Sequence, residues 1–139
     1  MLIGEYEHSV DAKGRMNFPA RLREDLGESF ILTKGLDNCL FAYSIEEWKQ
    51  LEEKIKALPM SKSRTLQRFF FAGAIQVQVD KQGRILVPSN LREYAGIQKE
   101  VVVVGASVRA EIWDRERYQV LCAQITAEDV AAAMDELGF

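Results

Sequence analysis

The chain has 139 residues, with 18 Lys and Arg against 21 Asp and Glu, one His and two Cys, and its 47% hydrophobic and 28% charged content is that of a globular domain or of two very small ones. Its longest apolar run, Val101–Val104, is far short of the roughly 20 residues of a membrane span; no basic stretch followed by an apolar one marks a secretory signal, and two unpaired Cys fit a reducing cytoplasm. One His and two Cys are too few for a closed zinc site, and a net charge of −3, taken alone, argues against a nucleic-acid partner.

Along the chain, the alternation of Tyr6, His8 and Val10 predicts a half-buried strand. Asp11-Ala12-Lys13-Gly14-Arg15 then has the chemistry of a hairpin loop: Asp can accept from backbone two residues on, and Gly supplies a positive φ. A second short strand ends at Pro19. A helix of one or two turns follows to Leu26, closed by Gly27, and two strands, Phe30–Thr33 and Cys39–Tyr43, come next. Ser44 with Glu47 has capping-box spacing ahead of a helix whose apolar stripe is Ile45, Trp48, Leu51, Ile55 and Leu58. Pro59 ends it, and Ser61 or Ser63 opens another helix running to about Ala72. Phe69, Phe70 and Phe71 cannot all lie on one face of that helix, so the site is buried on several sides or forms a subunit contact.

Ile75, Val77 and Val79 then alternate as Tyr6, His8 and Val10 do, and Asp80-Lys81-Gln82-Gly83-Arg84 repeats the loop. A short strand ends at Pro88. Ser89 is the expected N-cap of a helix to Ala95, with Gly96 closing it, and strands Val101–Val104 and Ala110–Trp113 follow. A last helix spans Thr126 to Leu137, with Asp129 in the box position.

The parallel is an internal repeat. Val10–Pro19 aligns with Val79–Pro88 at an offset of 69, Leu22-Arg23 with Leu91-Arg92, and Gly27 with Gly96. After one inserted residue the offset becomes 70, matching Ile31-Leu32 with Val101-Val102, Gly35 with Gly105, Tyr43 with Trp113 and Leu51 with Leu121. The expected organisation is a first repeat over 5–47, a helical connector over 48–75, a second repeat over 76–119 and a helical tail over 120–139. A unit this small rarely buries enough core to stand alone. Two of them with four short strands each predict a mainly β fold with appended helices (α+β), a closed or interleaved β-barrel with pseudo-twofold symmetry.

Net charge hides its distribution. Residues 1–53 carry a balance of −5, residues 54–92 of +7, residues 93–110 of zero and residues 111–139 of −5. Arg15 and Arg84 recur at one place in both copies, where the fold alone would accept many residue types. Lys13, Lys81, Arg21, Arg23 and Arg92 lie close by in the loops or on the short helices. A two-stranded ribbon fits the DNA major groove, where Arg grips guanine O6 and N7 bidentately. Asp11 and Asp80 would orient the guanidinium groups, and Gly14 and Gly83 would let backbone approach phosphate.

An enzyme is disfavoured: His8 reads as a strand residue packed or half exposed, Cys39 and Cys122 as small apolar fillers, and no phosphate-binding Gly-rich loop is present. No cofactor or small-molecule substrate is expected.

Val-Asp-x-x-Gly-Arg-Ile-x-x-Pro-x-x-Leu-Arg at residues 79–92 resembles the core of the AbrB-like (SpoVT–AbrB) swapped-hairpin DNA-binding domains. Two copies in one chain resemble the MraZ family, as do the opening Gly4–Met16, Arg68-Phe-Phe-Phe-Ala-Gly-Ala and Glu111-Ile-Trp. The resemblance implies a swapped-hairpin barrel and a bacterial transcriptional regulator, cytoplasmic and nucleoid-associated. It implies binding to double-stranded DNA at tandem G-rich boxes in the promoter of a division and cell-wall gene cluster. It also implies a ring-shaped homo-oligomer, commonly an octamer. The matching positions are Asp11 with Arg15 and Asp80 with Arg84, the first loop being favoured for base reading because Gln82 stands where the first has Lys13. The alternative is an AbrB-like protein-interaction or antitoxin-type module without promoter function, since fold does not fix function.

Overall fold

A computed structural model describes residues 1–139. Each copy supplies four strands: β1 (Leu2–Ser9), β2 (Arg15–Asn17), β3 (Ser29–Lys34) and β4 (Leu40–Tyr43) from the first, β5 (Ile75–Gln78), β6 (Arg84–Leu86), β7 (Glu100–Ser107) and β8 (Arg109–Asp114) from the second. They form a six-stranded antiparallel sheet in the order β1-β7-β8-β4-β3-β5 and a two-stranded ribbon of β2 with β6. The mainly β, two-repeat architecture expected from the sequence is present.

The copies interleave. β1 pairs with β7, β5 with β3, and β4 with β8 at the centre of the sheet. The ribbon likewise takes one strand from each copy, so β1 and β2 touch as a hairpin only at the single bridge Val10–Met16. The expected local hairpin is therefore a loop between strands that each find their ladder partner in the other copy. Register also corrects the repeat alignment. His8 opposes Val101 and Val77 opposes Phe30, so β3 maps onto β7 at an offset of 71, Phe30 onto Val101 and Leu32 onto Val103. The offset is 70 at β4, where Leu40 opposes Ile112 and Ala42 opposes Ala110. Both copies thus send the same alternate positions inward, as the period of two requires.

Burial follows from layering. One face of the sheet and the inner face of the ribbon enclose a core including Val10, Met16, Phe18, Leu22, Phe30, Leu32, Leu40, Val79, Ile85, Val87, Leu91, Val101, Val103 and Ile112. The other face of the central strands holds Cys39, Phe41, Tyr43 and Trp113, covered by helix α2 (Ile45–Lys56), the segment 67–71 and helix α5 (Arg115–Gln124). All four residues of β4 are buried because both its faces are covered, whereas edge strand β1 is largely exposed outside.

Helices start where the chain leaves the sheet. The Ser44 hydroxyl accepts from the Glu47 N–H at 3.1 Å, and Asp114 accepts from the Arg117 N–H at 3.3 Å, so α2 and α5 are equivalent caps on equivalent strands, each worth about 1 kcal/mol. The short helices α1 (Ala20–Leu26) and α4 (Ser89–Ala95) begin after Pro19 and Pro88, which occupy the N-cap positions. Ser89 is the first helical residue and makes no capping bond, contrary to expectation. Pro59, likewise, and neither Ser61 nor Ser63, precedes helix α3 (Met60–Leu66).

The three-phenylalanine conflict is resolved by a π turn over Gln67–Phe71, closed by the Ala72 N–H donating to the Gln67 carbonyl at 3.2 Å. The wider turn sends Phe70 into the outer core beside Phe41, while Phe71 packs on Trp48 and Phe69 on Tyr94. Helix α6 (Ala127–Asp135) has the expected capping box of Thr126 and Asp129. Cys39 is buried as expected; Cys122 is exposed on α5 and fills no core.

Candidate nucleic-acid interface

The two Asp-x-x-Gly-Arg loops are the same object built twice. In the first, Asp11 Oδ1 accepts from the N–H groups of Lys13 and Arg15, both at 2.9 Å. In the second, Asp80 Oδ1 accepts from Gln82 at 2.8 Å and from Arg84 at 2.9 Å. The backbone closes identically: Asp11 N–H to the Arg15 carbonyl at 2.8 Å and Gly14 N–H to the Asp11 carbonyl at 3.0 Å, with Asp80, Arg84 and Gly83 repeating both bonds at the same lengths. Gly14 and Gly83 have φ of 87° and 78°, the region in which a side chain is strained. The Arg15 N–H bond, seconded by that of Lys13 and the charges of Arg15 and Arg84, holds the exposed Asp11 carboxyl below the usual aspartate range. The Arg84 N–H does the same for Asp80, with help from Gln82 and the Arg84 charge.

The aspartates therefore act chiefly on the loop backbone. Their expected role as guanidinium orienters has a counterpart only in the second copy, where Arg84 Nε lies 3.5 Å from Asp80 Oδ2. That separation is an ion pair without hydrogen-bond geometry, and Arg84 Nε has no hydrogen-bond partner. Arg15 makes no ion pair with Asp11.

Ribbon register decides what is displayed. Met16 opposes Ile85, with Arg15 opposite Leu86 and Asn17 opposite Arg84. Met16 and Ile85 point into the core, so Arg15, Asn17, Arg84 and Leu86 share the outward face. The arginines sit at diagonal corners, one from each copy. Asn17 was missed by sequence reasoning; its period-two spacing from Arg15 is the signal that places it beside the arginines. Lys13, Lys81 and Arg21 are exposed, the lysines on the loops and Arg21 on α1. Arg23 and Arg92 are only partly exposed. The Arg92 Nε–H donates to the Val87 carbonyl at 3.0 Å, and Arg23 Nη1 lies 3.8 Å from Glu28. Ten of the eleven candidate residues thus lie on the ribbon and its loops or directly behind them, whereas Arg21 lies apart on α1, beside Met1, Ile3 and Tyr6. No group of three His, Cys, Asp or Glu side chains stands together in a way that would hold a metal ion.

Fold and site together define a single-chain, two-copy barrel of swapped strands that presents a pair of arginine-bearing loops. The family model described as "MraZ protein, putative antitoxin-like" matches the chain twice, over residues 1–69 and 70–137. Relatives named "Transcriptional regulator MraZ" include those of Acetivibrio thermocellus, 56% identical over 99% of both chains, and Caldicellulosiruptor saccharolyticus, 58% identical over 99% of both. That of Heliobacterium modesticaldum is 62% identical over 85% of this chain and 84% of its own. The chain belongs to the MraZ family.

Proposed function

We propose that this protein is a sequence-specific DNA-binding transcriptional regulator that reads DNA with the outward face of its β2–β6 ribbon and the two flanking loops. The observation that carries the reading is the duplication of one loop, hydrogen bond for hydrogen bond, with Arg15 and Arg84 set on the same face of a two-stranded ribbon. Such a ribbon is narrow enough for the major groove, about 12 Å wide, where Arg pairs bidentately with guanine. The printed name of the relatives, transcriptional regulator, supports the same class.

In this reading Arg15 and Arg84 contact guanine edges, while Lys13, Lys81 and Arg21 neutralise phosphates. Asp11 and Asp80 hold the loops in shape, and Gly14 and Gly83 supply the positive φ which that shape needs, the space left by each missing side chain facing an arginine behind the loop and not the DNA. The targets are tandem G-rich boxes in the promoter of a division and cell-wall gene cluster, engaged by a ring-shaped homo-oligomer, an octamer, on the nucleoid. No helix is long and apolar enough to cross a membrane. With a net charge of −3, bulk attraction per chain is modest, so several loops acting together supply the affinity.

The test is a titration of the chain's own upstream DNA at two salt concentrations, against one box and against three. Affinity falls steeply with salt and the array binds far more tightly than the single box. Arg15→Ala costs about 1–3 kcal/mol of discrimination per bidentate contact. An Arg15→Ala/Arg84→Ala protein that keeps its oligomeric state and full box affinity would refute the reading and favour a protein-binding, antitoxin-type module.

A further inference from the structure

The geometry behind the ribbon points to a role for Arg23 and Arg92 different from that of the exposed cations. We propose that they are positioning residues, each bracing the loop of the other copy, so that the two arginine-bearing loops are presented as one rigid pair.

The bracing is a crossed arrangement. The Gly14 carbonyl of the first loop accepts from the N–H of Val87 in the second copy at 2.8 Å, and the Gly83 carbonyl of the second loop accepts from Phe18 in the first at 2.9 Å. Arg92 grips the same Val87 through its carbonyl, and its guanidinium lies against Gly14. A Cβ built on Gly14 would stand 2.9 Å from the Val87 oxygen, 3.1 Å from Arg92 Nη2 and 3.2 Å from Arg92 Cζ. Gly14, Val87 and Arg92 thus form one closed contact spanning both copies. Arg23 is the repeat equivalent of Arg92, and its guanidinium lies behind Gly83, 3.6–3.8 Å from a Cβ built there.

The two braces are unequal. Arg92 Nε is hydrogen-bonded, whereas Arg23 Nε is buried without a partner and its nearest acid, Glu28, is 3.8 Å from Nη1. Gly14 is buried and Gly83 only half-buried. The first loop is therefore the more firmly held. This agrees with reading Arg15 as the stricter of the two base contacts, a consequence that rests on the proposed DNA function. The crossed bracing itself does not.

The inward commitment of Arg92 is what separates it from a phosphate contact. A phosphate ligand needs charge, which Lys supplies equally well. A brace needs the planar fork and the Nε donor, which Lys lacks. Losing a phosphate contact lowers the slope of log affinity against log salt by about 0.9 and leaves sequence preference intact. Losing a brace leaves that slope and erodes preference.

The experiment uses the full chain with Arg92→Ala, Arg92→Lys and Arg23→Ala, read by amide hydrogen exchange without DNA and by box against non-box binding over a salt series. Arg92→Ala and Arg92→Lys both accelerate exchange at Gly14 and Arg15 by about tenfold while Gly83 and Arg84 keep their protection. Arg23→Ala affects Gly83 and Arg84, and less strongly. Box preference drops in the Arg92 variants with the salt slope unchanged. Unchanged exchange in the opposite loop, or full rescue by Arg92→Lys, overturns the proposal, as does a salt slope reduced by about 0.9 with preference intact. If Arg92→Ala does not fold, Arg92→Lys alone decides. If the unaltered protein shows no box preference, the DNA reading fails while exchange still judges the brace.

Discussion

Met16 and Ile85 face each other across the β2–β6 ribbon, each 1% exposed, and their inward direction is what turns Arg15 and Arg84 outward. Each comes from a different copy, so this one pair ties the halves of the barrel together and sets the face of the candidate interface. Truncating either residue opens a cavity in a three-residue strand that has no other inward side chain. Met16→Ala and Ile85→Ala are each expected to cost about 2–5 kcal/mol of stability, measured by denaturant unfolding. A loss below 1 kcal/mol would mean that the ribbon is not part of the cooperative core.

The crossed backbone contacts make the two loop glycines unequal. Both have positive φ, which costs an L-residue about 1–2 kcal/mol, but only Gly14 would drive a Cβ against a backbone oxygen, that of Val87. Gly83→Ala meets nothing nearer than Arg23 at 3.6 Å. Gly14→Ala should therefore destabilise more than Gly83→Ala in paired unfolding curves. Equal losses would show that the backbone at Val87, just after β6, yields without strain.

Much of this was legible because it is local chemistry. Asp-x-x-Gly-Arg names its own turn: the Asp side chain accepts from backbone amides just ahead of it, and Gly takes the required φ without strain. Ser44 and Thr126 named their helix starts in the same way. What stayed hidden depended on partners distant in sequence. Nothing in Val10–Pro19 says that β2 pairs with β6 rather than with β1, because both pairings bury Met16. The second residue inserted ahead of β7 was invisible for a similar reason: in Val101–Val104 every position is Val, so the alternation that fixes register carries no mark. Ser favours the cap position, which makes Ser89 the expected cap, yet Pro88, with its fixed φ, occupies it. The π turn was foreshadowed by Phe69–Phe71 as a conflict, but only packing against Phe41 and Trp48 shows how it is met.

The two thiols should differ sharply. Burial pushes the Cys39 thiol up to about 12, with the nearby Glu111 charge adding to it, and its Sγ–H donates to the Leu36 carbonyl at 3.1 Å. Thiolate is the reactive form, so Cys39 is doubly protected at neutral pH, whereas Cys122 is exposed. A thiol reagent at pH 8 is expected to label Cys122 rapidly and Cys39 only on unfolding, as read by mass spectrometry of the labelled peptides. Comparable labelling of both in the native state would contradict the packing around Cys39.

Acid should loosen the loops before it unfolds the barrel. In the folded chain both Asp11 and Asp80 have lowered pKa values, chiefly because the N–H groups of Arg15 and Arg84 bond the ionised carboxylates. The sign follows from linkage: a carboxylate with a depressed folded pKa contributes above its unfolded value, near 3.9, and the contribution disappears as pH falls through the lower folded value. Loop order should therefore be constant from neutral pH to about pH 4 and decline below it. The amide resonances of Lys13, Arg15, Gln82 and Arg84 would report it, each titrating with a midpoint below that of a free aspartate. Asp11→Asn keeps an Oδ1 acceptor and removes the titration, so Lys13 and Arg15 should lose their acid response while Gln82 and Arg84 retain theirs. A midpoint at or above the ordinary aspartate value, or an acid response surviving in Asp11→Asn, would mean that the carboxylate does not organise the loop.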